Sequence, residues 1–314
     1  MSAQFKIKAA DPASVVRLER ELGLPRFIAA TLVARGIDNP AAVHRFLAPS
    51  LERDWLDPYI IPGLSDVADA LEAAVKRGDH ILVFGDFDLD GISATTVLTR
   101  GLRALGAQAT PFIPLRFEEG YALSQAAITR ACSFGPDFIV TVDCGIACKA
   151  EAAAVVEAGL GLAITDHHEP VDLVPEGVPV ADPKCDANCP SSILAGVGVA
   201  LKLVQVLGGR LGQPHLWRDF TDFATLGTVA DLMPMRDENR ALVSDGIARM
   251  NAAPRPCIAA LLATSGAADK PVSATNLSFS VIPRLNAAGR MGDAQLALCL
   301  LYTSPSPRDL STSR

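Results

Sequence analysis

HILVFGDFDLDG, residues 80–91, runs from an apolar stretch directly into three aspartates at alternate positions. The apolar half reads as a β-strand closed by Gly85. Kept near-extended, Asp86, Asp88 and Asp90 would all turn to one side of the chain, because side chains in extended backbone alternate with period two. Neighbouring carboxylates about 6 to 7 Å apart then repel by roughly 2 to 3 kcal/mol per pair at an effective dielectric near 20. The segment must therefore face open water or hold a cation among its carboxylates.

The same rhythm continues on both sides of this stretch. An amphipathic helix, SDVADALEAAVKRG (65–78), precedes it, and SATTVLTRGLRALG (93–106) follows as a second helix. Strand AQATPFI (107–113), helix SQAAITRAC (124–132), strand DFIVTVD (137–143), helix CKAEAAAVVEAG (148–159), strand LGLAITD (160–166) and a short strand VPVAD (178–182) come next. Strands alternating with helices of this length specify right-handed crossovers, hence an α/β fold with a mainly parallel, doubly wound sheet. Short helices such as PRFIAATLVARG occupy the region before residue 63, and from about 194 the pattern is helical again, through LAGVGVALKLVQVL, WRDFTDFATLGTVADL and NRALVSDGIARM. The final YTSPSPRDLSTSR is rich in Ser, Pro and Arg and has no periodicity, which reads as a disordered or non-native tail.

Composition narrows the class. With 314 residues, 49% hydrophobic and 20% charged, the chain can bury a full core. Its most apolar stretch is broken by Lys202, so no membrane span is expected, and MSAQFKIKAADPAS has no signal-peptide core, which favours the cytoplasm. Seven cysteines, an odd number, read as reduced thiols. The net charge of −7 alone argues mildly against nucleic acid, although a metal-loaded acidic site reverses the sign locally.

Ligands of open parallel sheets bind beyond the carboxyl ends of the strands, and this is where acidic and imidazole side chains collect. Asp86, Asp88 and Asp90 follow the first strand, Asp143 ends FIVTVD, Asp166, His167 and His168 end LAIT, Asp182 closes VPVAD, and Asp231 lies in GTVADLMP. A single such Asp is most often a helix cap or turn residue. Brought to one sheet edge, the set would pile up like charge unless a divalent cation sat within it, and carboxylates mixed with imidazole suit Mn²⁺ or Mg²⁺. CGIAC (144–148) and CDANC (185–189) read better as a turn and a polar loop than as zinc sites, and the glycines of GVGVALK (196–202) read as close helix packing with backbone N–H groups near an anion.

The ordered series GDFDLDG, VTVDCGI, TDHHEP, LAGVGVALKL, TLGTVADLMPMRDENRALV and PRLNAAGR, with LPRFIAATLVARGIDNPAAVHRFLAPSL before it, resembles the DHH phosphoesterase superfamily and, more narrowly, its RecJ-type single-stranded-DNA exonucleases, over nearly all of residues 20–300. The resemblance implies that Asp88, Asp90, Asp143, His167 and Asp231 ligate one or two divalent metals, with Asp143 bridging. His168 would contact the scissile phosphate or protonate the leaving group, and Asp86 and Asp166 would support the site, the latter orienting an imidazole. Arg284, Asn286 and Arg290 of PRLNAAGR would bind the strand end. Some superfamily members have a histidine four residues before the equivalent of Asp88; here that residue is Phe84.

The activity so implied is metal-dependent hydrolysis of single-stranded DNA from its 5′ end, in repair and recombination, with a repair helicase and a single-strand-binding protein as partners. A small-substrate phosphoesterase (short oligonucleotides, cyclic dinucleotides or pyrophosphate) and a non-catalytic replication scaffold are the alternatives. The expected layout is an N-terminal helical segment (1–62), a DHH catalytic domain (63–235), a helical extension with PRLNAAGR (236–302) and a tail (303–314), the chain ending before a second catalytic-lobe domain and an oligonucleotide-binding domain.

Overall fold

In a computed structural model the chain is described at residues 8–266, 270–292 and 294–303. Five strands, β1 (His80–Phe84), β2 (Gln108–Phe112), β3 (Phe138–Val142), β4 (Gly161–Thr165) and β5 (Val180–Ala181), form one sheet in the order β2-β1-β3-β4-β5. Every adjacent pair is parallel. Chain order reverses between β1 and β3, and such a switch leaves a crevice beyond the carboxyl ends of those two strands.

The central strands are apolar throughout because both faces are covered. On β1, Ile81 and Val83 point into the main hydrophobic core while Leu82 and Phe84 point into a second one. The main core is shared with the helices Leu64–Arg77, Leu89–Ala104 and Gly196–Arg210, and the second with Gln125–Cys132 and Lys149–Glu157. Val15, Leu18, Ala29, Leu32, Val33 and Val43 of the N-terminal helices make a separate small core. Leu51 and Ile61 already pack into the main one, as do Leu277, Val281 and Leu285 of the C-terminal helices.

Two latches tie these additions to the sheet domain. Lys202, buried on Gly196–Arg210, lies 2.7 Å from the equally buried Glu238, donates to the Leu56 carbonyl at 2.6 Å, and sits over the Trp55 ring. At the other end, the helix Ala294–Thr303 runs into the stretch expected as tail: the Tyr302 carbonyl accepts from Arg100 at 3.0 Å and its ring lies under Arg103. Residues 304–314 of the expected tail lie outside the described residues. No helix among the described residues is long and apolar enough to cross a membrane.

Candidate metal centre

The three alternating aspartates are not extended. The strand stops at Phe84 and a helix begins at Leu89, four residues before the Ser93 start that the pattern suggested. Asp88 is its N-cap, accepting from the N–H groups of Asp90 (2.9 Å) and Gly91 (3.0 Å), which would otherwise lack partners in a first helical turn. Asp90 is buried in that turn, and its carboxylate accepts from the backbone N–H of Gly196 (2.7 Å) and Val197 (3.0 Å). The anion beside the GVGVALK amides is thus a side chain of the site itself, held at a positive helix end. Gly196 also lets this helix start lie against Asp143, since a Cβ there would fall 2.5 Å from Asp143 Oδ1.

Asp143, directly after β3, has φ of 61°, a left-handed conformation that Asp tolerates better than most residues and that marks functional sites when the surroundings enforce it. Its Oδ1 faces His167 Nε2 at 3.0 Å but is not aligned for a hydrogen bond, and it has no hydrogen-bond partner among the described residues. His167 Nε2 is also 3.7 Å from one oxygen each of Asp90 and Asp231. Ligand atoms of Asp86, Asp88 and Asp143, of Asp90, His167 and Asp231, and of Asp143, His167 and His168 each lie within 4.8 Å of one another. The first and third groups share Asp143, and the second and third share His167, so the three are linked side by side. A donor set of carboxylate oxygen and imidazole nitrogen, with a buried oxygen left unpartnered, fits Mn²⁺ or Mg²⁺.

Electrostatics agree with that fit. Burial first, and then the neighbouring carboxylates, push Asp90 and Asp143 well above the usual carboxylate range. Burial and the Asp88 charge push Asp86 up to about 7, and burial raises Asp231 and takes Asp182 to about 7. Asp166 behaves oppositely. Burial would raise it, but His168 and the N–H groups of Ile146 and His167 outweigh that and hold it below its ordinary value. Its Oδ1 meets His168 Nδ1 at 2.7 Å, and this bond raises the half-exposed His168 to about 9.

Phe84, where some family members have histidine, is fully buried and packs at a tilt against Phe112, with ring centroids 5.0 Å apart. Asp86, expected to support the site, belongs to one of the three groups that could hold an ion. No cysteine belongs to the three ligand groups among the described residues.

PRLNAAGR forms the helix Ile282–Arg290, seated on the loop that carries Asp88: Asn286 Oδ1 accepts from Leu89 N–H at 2.9 Å, and Gly289 lets the helix rest on the Phe87 carbonyl. Arg284 turns back to the Ser280 carbonyl. Arg290 is exposed and lines a cleft of about 460 Å³ with Asp88, Arg116, Ala230 and Asn286. Of the three residues expected at the strand end, Arg290 and Asn286 reach this cleft. Sequence reading passed over the loop after β2, where Arg116 lies over the Phe87 ring (4.6 Å) and Tyr121 meets the same ring edge-on (5.9 Å). The strand-end rule that found the aspartates applies equally to this loop.

Residues 80–228 match the DHH family, N-terminal domain. The chain is 36% identical to the single-stranded-DNA-specific exonuclease RecJ of Bacillus subtilis over 96% of its own length and 38% of that protein's. The corresponding figures are 39%, 80% and 37% for RecJ of Thermus thermophilus, and 33%, 96% and 53% for RecJ of Escherichia coli. Among solved structures, exonuclease RecJ bound to manganese is similar at a TM-score of 0.71 with 39% identity, over 77% of this chain and 61% of that one. RecJ of Thermus thermophilus in complex with Mn²⁺ is similar at 0.80 with 33% identity, over 95% and 42%. The chain thus spans about half or less of the length of these curated relatives.

Proposed function

The chain belongs to the DHH family through residues 80–228, and on that premise we propose that it carries the catalytic site of a metal-dependent exonuclease acting on single-stranded DNA from the 5′ end. The observation that carries this reading is a trio of ligand groups at the sheet's switch point, two of them linked through Asp143 and two through His167. Asp88, Asp90, Asp143, His167 and Asp231 would hold one or two Mn²⁺ or Mg²⁺ ions, with Asp86 in reach of the same position. Such ions supply Lewis-acid activation of water and charge neutralisation at the phosphate.

The chain's own residues would do the rest. His168, kept protonated by Asp166 at neutral pH, is a proton donor to the leaving oxygen or a contact to the scissile phosphate. Arg290 and Arg116 offer guanidinium forks to a phosphate in the cleft, and Phe87 and Tyr121 offer ring faces and edges to a base. Asn286 acts by fixing Leu89, hence the cap that aims Asp88 and Asp90.

This reading includes residues 63–235 as the catalytic unit, a cytoplasmic setting, and a repair helicase and a single-strand-binding protein as partners; these rest on family resemblance. The test is hydrolysis by the 314-residue chain of single-stranded, duplex and dinucleotide substrates with Mn²⁺, alongside Asp143→Asn. Mn²⁺-dependent loss of nucleotides from single strands, absent in the variant, is expected. Hydrolysis confined to dinucleotides would favour a small-substrate phosphoesterase instead, and undiminished activity in Asp143→Asn would remove the metal site from the chemistry.

A further inference from the structure

A second concentration of charge lies outside the metal centre, with the opposite sign. A cavity of about 370 Å³ opens between the N-terminal helices Arg26–Ala34 and Pro40–Leu47 and the start of the 16-residue helix Asp237–Ala252. Arg35, Arg45 and Arg236 line it around a floor that includes Ile37 and Phe46, and Asp237 is the one carboxylate on its wall. Arg240 completes the cluster from below, stacked on Phe46 at 3.9 Å and donating to its carbonyl at 2.5 Å. Burial, and then the Arg35 charge, disfavour the Arg240 cation.

The cluster is not explained by ion pairs. Arg236 approaches Asp237 at 3.8 Å with both side chains well exposed, Arg45 is attracted to Asp54, whose nearer partner is Arg53, and neither Arg35 nor Arg45 has a carboxylate within 4 Å among the described residues. In a chain of net charge −7, three exposed guanidinium groups line this cavity with Arg240 nearby on Phe46; they repel one another, and an anion among them relieves that repulsion. The helix N-terminus at Asp237 adds to the positive field. Guanidinium forks beside an apolar ring suit a phosphate next to a base or sugar.

Position selects the source of the phosphate. Arg236 is five residues from Asp231, so the two backbones are at most about 18 Å apart. We propose that this cavity is a second anion site, in which Arg35, Arg45 and Arg236 hold a backbone phosphate of the same single strand whose end occupies the cleft at Asp88 and Arg290. The inference rests on the exonuclease reading and adds to it an exit path for the strand, across the N-terminal helices.

The test is anisotropy binding of 3′-labelled, 5′-phosphorylated single strands of 4 and 20 nucleotides to the 314-residue chain with Ca²⁺, an oxygen-liganded divalent cation, in place of Mn²⁺. Arg35→Gln/Arg45→Gln should weaken the 20-mer about ten- to a hundredfold. It should also reduce the slope of log affinity against log salt by about 0.7 for each phosphate that the arginines no longer neutralise. The 4-mer's binding and its Mn²⁺-dependent cleavage should be unchanged. Asp237→Asn removes the opposing carboxylate and should tighten the 20-mer, a gain that misfolding cannot mimic. Unchanged 20-mer affinity and salt slope in the double variant would overturn the proposal, as would equal losses for both lengths or tighter binding of polyglutamate than of the 20-mer. If the 20-mer weakens as expected while the wild type cleaves neither strand, the anion site stands and the exonuclease reading falls.

Discussion

Replacing Asp143 by Asn should make the metal-free protein more stable, although it removes the residue on which the proposed chemistry most depends. Its carboxylate lies with those of Asp86 and Asp88 inside a 4.8 Å circle. Two unit charges at that separation repel by roughly 3.5 kcal/mol at an effective dielectric of 20. Proton uptake limits this cost: holding one carboxyl protonated at pH 7 costs about 1.36 kcal/mol per pH unit above its ordinary value, hence roughly 4 kcal/mol at most. A gain of about 2 kcal/mol lies within that limit and corresponds to roughly 3 °C in melting temperature for a chain of this length. The sign with pH follows from linkage. Asp143 is raised in the folded state, so between its unfolded and folded values the native protein holds a proton that the unfolded chain releases. Stability of the wild type therefore falls as pH rises through that window, by up to about 1.4 kcal/mol per unit for one group, and the Asn variant lacks that share of the fall. Asn also accepts the left-handed backbone at this position, so strain does not confuse the comparison. Denaturant unfolding of both proteins in EDTA at pH 6, 7 and 8 measures the difference, and repetition with Mn²⁺ should raise the wild type well above the variant. A variant that is less stable than wild type in EDTA at pH 8, or whose advantage does not grow with pH, would refute a repulsive apo cluster.

Three other outcomes test separate parts of the site. Asp166→Asn should bring the His168 titration down from about 9 toward its ordinary value near 6.5, read by NMR. The alkaline limit of activity should move down with it, and the pair's contribution to stability, present while Asp166 is ionised and His168 protonated, lost as pH rises through about 9 and lost again as pH falls through the Asp166 value, should vanish. Gly289→Ala drives a methyl group into the Phe87 carbonyl, so the helix Ile282–Arg290 must shift; a cost of about 1 to 3 kcal/mol and a large loss of Mn²⁺ affinity are expected by calorimetry, and retention of both properties would show that this docking does not aim Asp88. Arg290→Ala should erase roughly ten- to a hundredfold of preference for 5′-phosphate over 5′-hydroxyl strands, whereas Arg284→Ala, whose guanidinium is spent on Ser280, should leave that preference intact.

The parts of this architecture that sequence reveals are those carried by local pattern. Apolar five-residue runs separated by helical periods are enough to predict a parallel sheet, and the strand-end rule then gathers Asp86, Asp143, Asp166, His167 and His168 without any coordinates. What local pattern misjudges is the backbone between Asp86 and Asp90. An alternation of Asp with apolar residues matches a strand and also matches a capped helix start, and nothing within twelve residues separates the two. The deciding partners are remote: Gly196 and Val197 hold Asp90 from more than a hundred positions away, and Asn286 holds Leu89 from almost two hundred.

The same limit explains why the second charged cluster went unread. Arg35, Arg45 and Arg236 are ordinary arginines in their own segments, and only the packing of the helix Asp237–Ala252 against the N-terminal helices makes them neighbours. An acidic cluster is easier to read, because its members follow successive strands of one sheet and topology alone brings them together. A basic cluster assembled from two peripheral layers has no such rule. The acidic and basic centres are nevertheless linked through one short segment, since Asp231 ends the helix Thr221–Ala230 and Arg236 caps the next. A strand crossing that segment would carry its reacting end to the carboxylates and a later phosphate to the arginines. The chain's negative net charge is therefore compatible with a polyanionic substrate: cations at one centre and guanidinium groups at the other set the local sign where the strand would run.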